Sequence, residues 1–340
     1  MTAYAELAVT TNFSFLRGAS HPKELAAAAT LLKLSAIGIA DRNSLAGVVR
    51  VYSALAQSPE NPRLLVGARL VFADGTPEIL AYPTDRAAYG RLCRLLSLGK
   101  LRAKKGECLL YREDLLHWQE GLLLAIVPPS PLRPDASRRS TSPASGGGKR
   151  NTLSFPVYGE GGATRSGATE GGTPLEGFLK SLAVVAPQRV WLAASMLYQG
   201  DDRRRLRRLA RIARASDVPL LAINDVLYHA PDRRALQDVV TCIREHVTLD
   251  AAGKRLEANA ERHLKSPAEM ARLFRDAPEA IEETMRFASL IGFSLDQLKY
   301  NIRASRFRGA RRRRTISKIS PGPELNAAIR TDCRRRCARR

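Results

Sequence analysis

The feature that most constrains the fold of this 340-residue chain is its alternation of strand-like and helix-like segments. Short apolar runs alternate with Ala- and Leu-rich stretches of helical periodicity. The predicted strands are residues 6–10, 35–40, 64–73, 78–82, 121–127, 189–193 and 219–223. The predicted helices are residues 24–34, 43–56, 85–98, 174–186, 201–215, 232–245, 267–274 and 278–290. About seven strand–helix units in one run favour an α/β barrel over a two-layer open sheet.

Candidate functional residues follow from this prediction, because α/β barrels place their reactive groups at the carboxyl ends of the strands. The residues at those ends are Thr10, Thr11, Asn12, Asp41, Arg42, Asn43, Arg69, Asn224 and Asp225. Before the first helix, Ser20 is predicted to be the cap, with Pro22 in the first turn.

Two segments interrupt the alternation and set the expected domain organisation. Residues 130–173 are rich in Pro, Ser, Gly and Thr, which predicts a flexible surface insertion. The insertion would separate a first part of the barrel, residues 1–129, from a second part, residues 174–265. Residues 266–300 are predicted to be a helical connection, and residues 301–340 form an Arg-rich tail.

The net charge of +22 is concentrated in this tail, which holds 14 Lys and Arg against 2 Asp and Glu. The rest of the chain is still basic, which favours polyanionic partners. Two interpretations of the tail stay open. It is either an arm that binds nucleic acid through Arg311, Arg312, Arg313 and Arg314, or the disordered, accidental product of a frameshift near Tyr300. The basic face of residues 203–214 is likewise either solvated or close to DNA.

Several classes of protein are not expected. The five cysteines form no CxxC pair, so we expect no disulfide framework and a cytoplasmic location. The longest apolar run, residues 122–127, is far shorter than a membrane span. The amino terminus lacks a basic segment before an apolar stretch, so neither a secretory signal nor a membrane partner is expected.

Five ordered segments carry a resemblance to a known family. They are YAEL at 4–7 with NFSFLRGASHP at 12–22, DRNSLAGVVR at 41–50, YPTDRAAYGRLCRLL at 82–96, NDVLYH at 224–229 and LKSP at 264–267. With them the chain resembles the N-terminal PHP domain of bacterial C-family DNA polymerases, in particular the error-prone, damage-induced alpha-subunit type. The resemblance covers about residues 4–300 apart from the insertion, and it implies a distorted (β/α)7 barrel of the PHP type.

The resemblance also implies a metal site, from which this sequence departs. Active members hold two or three metal ions with a His-x-His after the first strand, a nearby acid, an Asp-His pair, a Glu, another His and a final Asp-x-His. Here only Asp41 and Asp225 remain of those ligands. The substituted positions are Ala8, Thr10, Arg17, Arg42, Arg69, Glu78 and Leu227.

The electrostatic repulsion between a metal ion and a nearby arginine bears on whether metal can bind. A dication about 5 Å from one guanidinium, at an effective dielectric constant near 20, is repelled by roughly 6–7 kcal/mol. If the three substituted arginines face the barrel opening, they offset the charges of Asp41, Glu78 and Asp225. We therefore expect no metal and no catalytic residue, and we expect arginine–carboxylate pairs that brace the opening. Residual metal binding by the aspartates and nucleic-acid contact by the arginines stay open as alternatives.

The function that the resemblance implies is DNA-directed DNA synthesis by a nucleotidyltransferase, in translesion synthesis, DNA repair and replication. It implies Mg²⁺ in a palm beyond residue 300, and DNA, a sliding clamp and damage-response proteins as partners. The acidic motifs of a palm are missing here, so we expect a truncated chain that does not polymerise by itself. Two alternatives stay open: a stand-alone metal-dependent phosphoesterase of the PHP superfamily, and a non-catalytic DNA-binding or scaffold module.

Overall fold

A curled seven-stranded sheet organises the computed structural model, which describes residues 3–56, 60–129 and 173–298. Its strands neighbour one another in chain order: β1 Ala5–Val9, β2 Ala36–Arg42, β3 Arg63–Leu70, β4 Glu78–Pro83, β5 Leu122–Val127, β6 Val190–Ala194 and β7 Leu220–Ala222. This confirms the predicted α/β class and its seven strands. The predicted insertion, except Thr173, and the tail with Arg311, Arg312, Arg313 and Arg314 lie outside the described residues.

Ten α-helices accompany the sheet within the described ranges. They are α1 Pro22–Leu31, α2 Val48–Leu55, α3 Arg86–Arg102, α4 Arg112–Trp118, α5 Pro174–Val185, α6 Asp202–Ala215, α7 Arg234–Glu245, α8 Leu249–Ala252, α9 Pro267–Leu273 and α10 Glu279–Ser289. The short helices α4 and α8 were not predicted. Helix α2 begins five residues later than predicted, because Asn43 turns the chain with a left-handed φ of 46°.

The cap of α1 corrects another prediction. His21, and not Ser20, is the residue before the helix, and its backbone N–H donates to Glu24 Oε2 at 2.8 Å. The Ser20 hydroxyl instead accepts from the backbone N–H of His229 at 2.9 Å. Ser20 therefore links the β1–α1 loop to the segment that follows β7.

The sheet departs from seven repeated strand–helix units at β3 and β4. No helix separates these two strands, just as none was predicted between residues 73 and 78, and β4 runs antiparallel to both of its neighbours. The other neighbouring strands are parallel. The start of β4 therefore lies at the same edge as the carboxyl ends of the parallel strands. We call this edge the barrel mouth, and it brings Glu78 beside residues that end β2 and β3.

Hydrogen bonds close the curled sheet at the mouth. After β7 the chain pairs with β1: Thr10 N donates to Val226 O at 2.9 Å, and Val226 N donates to Ala8 O at 2.9 Å. These bonds join the first strand to the segment after the last one. The positions of Thr10 and Asp225 are therefore fixed against each other by backbone pairing.

Helix α10 packs into the sheet interior, so part of the predicted connection at 266–300 belongs to the core. Phe287 is fully buried and packs edge-on against Trp191 and Tyr82, with ring centroids 4.7 and 5.5 Å away. Trp191 Nε1 donates to Glu283 Oε1 at 2.8 Å. At β1, the Ala5 N–H donates to Thr284 Oγ1 at 3.3 Å.

Two glycines make room for the interior aromatic ring of Tyr82. A Cβ at Gly67 would lie 2.4 Å from Tyr82 Cε1, and one at Gly38 would lie 2.4 Å from its hydroxyl oxygen. The hydroxyl donates to Leu7 O at 2.6 Å. Tyr82 thus ties β4 to β1 across the interior.

The expectations about disulfides and membrane spans concern the described cysteines and helices. Cys93, Cys108 and Cys242 are free thiols. In the ranges that the structure covers, no helix combines the length and the hydropathy that a membrane crossing requires.

We predict that Phe287→Ala lowers the free energy of unfolding by about 3–5 kcal/mol, since it empties a fully enclosed aromatic site. Urea denaturation followed by circular dichroism would measure this loss. The matched control is Phe15→Ala, because Phe15 is 82% exposed and its loss should cost less than about 0.5 kcal/mol. Equal effects of the two substitutions would contradict the placement of α10 in the core.

Candidate functional site at the barrel mouth

The mouth collects charged side chains from four elements of the sheet. Asp41 and Arg42 end β2, Glu78 begins β4, and Asp225 follows β7. Arg69 lies at the end of β3, directly opposite Arg42 in the parallel register. The structure thus brings together five positions that are far apart in the sequence.

Three arginines and three carboxylates form a continuous ion-pair network here. Arg42 Nη1 lies 2.8 Å from Glu78 Oε1, and Arg69 Nη1 lies 3.1 Å from Glu78 Oε2. Arg69 also pairs with Asp225, which in turn pairs with Arg262. The last pair joins Arg262 Nη1 to an oxygen of Glu257 at 2.7 Å. In order, the ion-pair network consists of Arg42, Glu78, Arg69, Asp225, Arg262 and Glu257.

Arg262 was not among the predicted residues; it lies in an irregular segment before α9. Its Nε donates to Asp225 O at 2.8 Å, and its own carbonyl accepts from Leu227 N at 2.9 Å. Arg262 therefore holds both the backbone and the carboxylate of Asp225. No periodicity or motif marked it, although it precedes the LKSP segment by only two residues.

The network controls the protonation of Asp225. Burial alone would raise the pKa of this carboxyl, but the charges of Arg262 and Arg69 more than offset burial and hold the pKa well below its ordinary value. Burial lowers the pKa of Arg262, but the charges of Asp225 and Glu257 more than offset burial and raise the pKa above its ordinary value. Each group therefore stabilises the charged form of its neighbours. Asp225 also has a left-handed φ of 50°, a conformation that the surrounding ion pairs help to hold.

Asp41 lies outside this network, contrary to the expectation that an arginine would neutralise it. Its carboxylate accepts from Thr11 N at 2.8 Å, from Thr11 Oγ1 at 2.8 Å and from Ser14 Oγ at 2.7 Å. In the described ranges it forms no salt bridge within 4 Å. Burial raises the pKa of Asp41, and the hydrogen bonds from Ser14 and Thr11 partly oppose that shift. A Cβ at Gly47 would lie 2.3 Å from Asp41 Oδ2, which requires glycine there.

The remaining predicted positions contribute little reactive chemistry. Ala8 and Thr10 are buried at the end of β1, and Leu227 is buried behind Asp225. Arg17 is half-buried in the β1–α1 loop, where its N–H donates to Ser14 O at 2.9 Å. Among the residues with described positions, no group of three or more His, Cys, Asp or Glu side chains converges as a metal site would require.

A second polar cluster, also missed from the sequence, lies beside the network. Glu6 is buried and accepts from Tyr4 Oη at 2.7 Å and from the backbone N–H of Asn224 at 2.9 Å. Lys265 Nζ donates to Asn224 Oδ1 at 3.4 Å. Burial raises the pKa of Glu6, and the hydrogen bonds from Tyr4, Ala8 and Asn224 oppose the rise. The periodicity of β1 concealed Glu6, because a buried strand is expected to be apolar.

Comparisons with known proteins identify relatives of the whole described region. Residues 6–132 match the PHP domain family. The chain is 53% identical over 301 residues to an error-prone DNA polymerase of Rhodopseudomonas palustris strain BisB5, covering 88% of this chain and 24% of that protein. It is 52% identical over 305 residues to the Bradyrhizobium diazoefficiens protein of the same name, and the match covers 88% of this chain and 23% of that protein. It is 48% identical over 303 residues to the error-prone DNA polymerase of Brucella abortus biovar 1, and the match covers 88% of this chain and 24% of that protein.

The chain thus spans about a quarter of the length of the curated relatives it matches. A solved amidohydrolase structure from Chromobacterium violaceum aligns with a TM-score of 0.40 and 14% identity, covering 66% of this chain and 88% of that one. This likeness is too distant to identify an activity.

We predict that Asp225→Asn lowers the free energy of unfolding by about 3 kcal/mol at pH 7, because Arg69 and Arg262 each lose one of the two carboxylates that they contact in a largely buried site. The folded pKa of Asp225 lies below its unfolded value, so its contribution is full above about pH 4 and is lost as the pH falls further. Urea denaturation from pH 7 to pH 3 should therefore show the two proteins converging in acid. Asp232→Asn, at an exposed position, is the control, and a difference that stayed constant in acid would contradict the prediction.

The similarity of the chain to known proteins rests on the family match and on the relatives together. The family match covers the first five strands, and the relatives extend the similarity over 88% of the sequence, which includes β6 and β7. Residues 6–132 therefore carry a PHP domain, and the chain is similar, over 88% of its length, to proteins named error-prone DNA polymerase.

Proposed function

We propose that this chain is the PHP region of an error-prone DNA polymerase and that its barrel serves as a structural, metal-free domain. The observation that carries the proposal is the ion-pair network at the mouth. Guanidinium groups from Arg42, Arg69 and Arg262 occupy the space between the carboxylates there. In this arrangement the carboxylates hold the barrel closed and are not available as ligands.

The donor set at the mouth does not fit a divalent cation. Glu78 and Asp225 each contact two arginines, so their charge is already compensated. A dication about 5 Å from one guanidinium would be repelled by roughly 6–7 kcal/mol at an effective dielectric constant near 20. Asp41 already accepts hydrogen bonds from Thr11 and Ser14. The residues of this mouth therefore do not fit metal-dependent catalysis.

We further propose that DNA synthesis belongs to the part of the relatives that this chain does not cover. In the complete polymerase the proposed activity is nucleotidyl transfer to a DNA primer, with Mg²⁺ held by palm carboxylates. Translesion synthesis, DNA repair, a cytoplasmic location, and contacts with a sliding clamp and damage-response proteins are proposals at the same level. The similarity to proteins named error-prone DNA polymerase supports them.

We predict that the purified 340-residue chain adds no nucleotide to a primed template in the presence of Mg²⁺ and all four dNTPs. The physical reason is the lack of a carboxylate cluster able to hold two metal ions in the described residues. A gel-based primer-extension assay measures this directly, with a known polymerase as the positive control. Incorporation of even one nucleotide above the heat-treated sample would contradict the proposal.

We also predict that the dialysed chain retains less than about 0.1 Zn²⁺ or Mn²⁺ per molecule and does not hydrolyse p-nitrophenyl phosphate with Mn²⁺. The double variant Arg42→His, Arg69→Glu exchanges two guanidinium groups for metal ligands, so its affinity for Mn²⁺ should exceed that of the unmodified chain at least tenfold. Arg207→Glu on α6 is the control for a simple change of net charge. Metal retention with phosphatase turnover by the unmodified chain would favour the phosphoesterase alternative.

A further inference from the structure

Helix α6 carries an unusual concentration of positive charge. Its 14 residues include seven arginines and one aspartate. The apolar residues Leu206, Leu209 and Ile212 are buried, and the helix packs against β6 and β7. The outward face of α6 is therefore basic, while its apolar face is buried in the core.

Four of these arginines form a single exposed row, which we call the arginine ladder: Arg204, Arg207, Arg211 and Arg214. Their spacing of three, four and three residues keeps them within about 80° of the helix circumference. At a rise of 1.5 Å per residue the row is about 15 Å long.

The ladder differs from the other charges of this region because it lacks carboxylate partners. Arg203 lies 3.8 Å from Asp276, and Arg205 donates to Ser195 Oγ at 2.8 Å. For the four ladder arginines, no carboxylate oxygen lies within 4 Å in the part of the chain that the structure describes. Like charges in one row repel each other, and a polyanion would relieve that repulsion.

The ladder leads into a cleft of about 570 Å³ beside α9. Its charged and aromatic lining consists of four arginines, two aspartates and one tyrosine: Arg203, Arg204, Arg272, Arg275, Asp201, Asp202 and Tyr198. Tyr198 is 49% exposed and has a left-handed φ of 52°, so the backbone turns this aromatic residue toward solvent at some cost. Its hydroxyl is held by Arg272 and donates to Glu269 at 3.4 Å. A fixed, half-exposed ring beside Arg204 is a platform on which an unpaired base can stack.

We propose that the arginine ladder and this cleft together bind single-stranded DNA, with phosphates on the ladder and a base on Tyr198. Guanidinium groups bind phosphate in a bidentate manner, and aromatic rings beside them accept bases without sequence preference. A membrane surface fits less well, because α6 has no apolar residue left to insert. The choice of DNA rests on the proposed function, since the relatives are DNA polymerases.

The first experiment measures the binding of a labelled single-stranded oligonucleotide to the full chain at several salt concentrations. The ladder variant Arg204→Gln, Arg207→Gln, Arg211→Gln is compared with the unmodified chain. Each phosphate contact contributes about 0.7 to the slope of log Kobs against log salt, so the ladder variant should lose about 2 from the magnitude of that slope.

The matched control removes three exposed charges elsewhere, in Arg50→Gln, Arg86→Gln, Lys105→Gln, and should leave the slope unchanged. Residues 301–340 contribute equally to all three proteins, so the difference reports on α6. Equal slopes in the two variants would overturn the ladder proposal, as would the absence of binding at low salt. The proposed function would still be judged separately, by metal content and primer extension.

The second experiment tests the cleft. Tyr198→Ala should weaken binding of the single strand about tenfold with the salt slope unchanged, because stacking is lost and no phosphate contact is. Tyr111→Ala, at a residue that is 40% exposed and lies beside α4, should have no effect. Equal losses in the two variants, or tighter binding of duplex than of single strand, would overturn the assignment to single-stranded DNA.

Discussion

The paired charges of Arg69, Asp225 and Arg262 are the interaction on which the barrel mouth depends. Asp225 follows the last strand, Arg69 ends β3, and Arg262 belongs to the segment before α9. The Arg69–Asp225 pair links positions 156 residues apart, at the edge where backbone bonds from Thr10 and Val226 also close the sheet. Loss of one pair from such a network is costly, because the remaining charge would be left unpaired in a medium of low dielectric constant.

Charge balance at the mouth supports the proposal of a metal-free domain. In a metal site, cations hold the carboxylates of several strands together and reduce their mutual repulsion. Here guanidinium groups supply the same positive charge from within the chain, so the mouth needs no external ion to remain neutral. At the other end of the interior, Phe287 and Trp191 provide apolar contacts that do not depend on charge. Closure of the barrel therefore has one electrostatic and one hydrophobic component.

The site was predictable in part. Asp41, Arg42, Arg69 and Asp225 were identified from the ends of predicted strands and Glu78 from the resemblance to the family, and the structure places all of them at the mouth. Their partners were not predictable: Asp41 is satisfied by the hydroxyls of Thr11 and Ser14, and Asp225 pairs with an arginine that no motif marked. Spacing in the sequence reports which residues end a strand, but it does not report which side chains from distant segments meet across the mouth.

The sequence by itself determined the α/β class, the approximate position of every strand and the basic outer face of α6, because these depend on local periodicity and composition. Only the tertiary structure decided the pairing of β1 with the segment after β7, the burial of α10 and the ion-pair order at the mouth. The physical reason is the range of the interactions involved. Sheet closure and charge pairing depend on contacts between segments far apart in the chain, and a local pattern of apolar and polar residues is compatible with more than one such set of contacts.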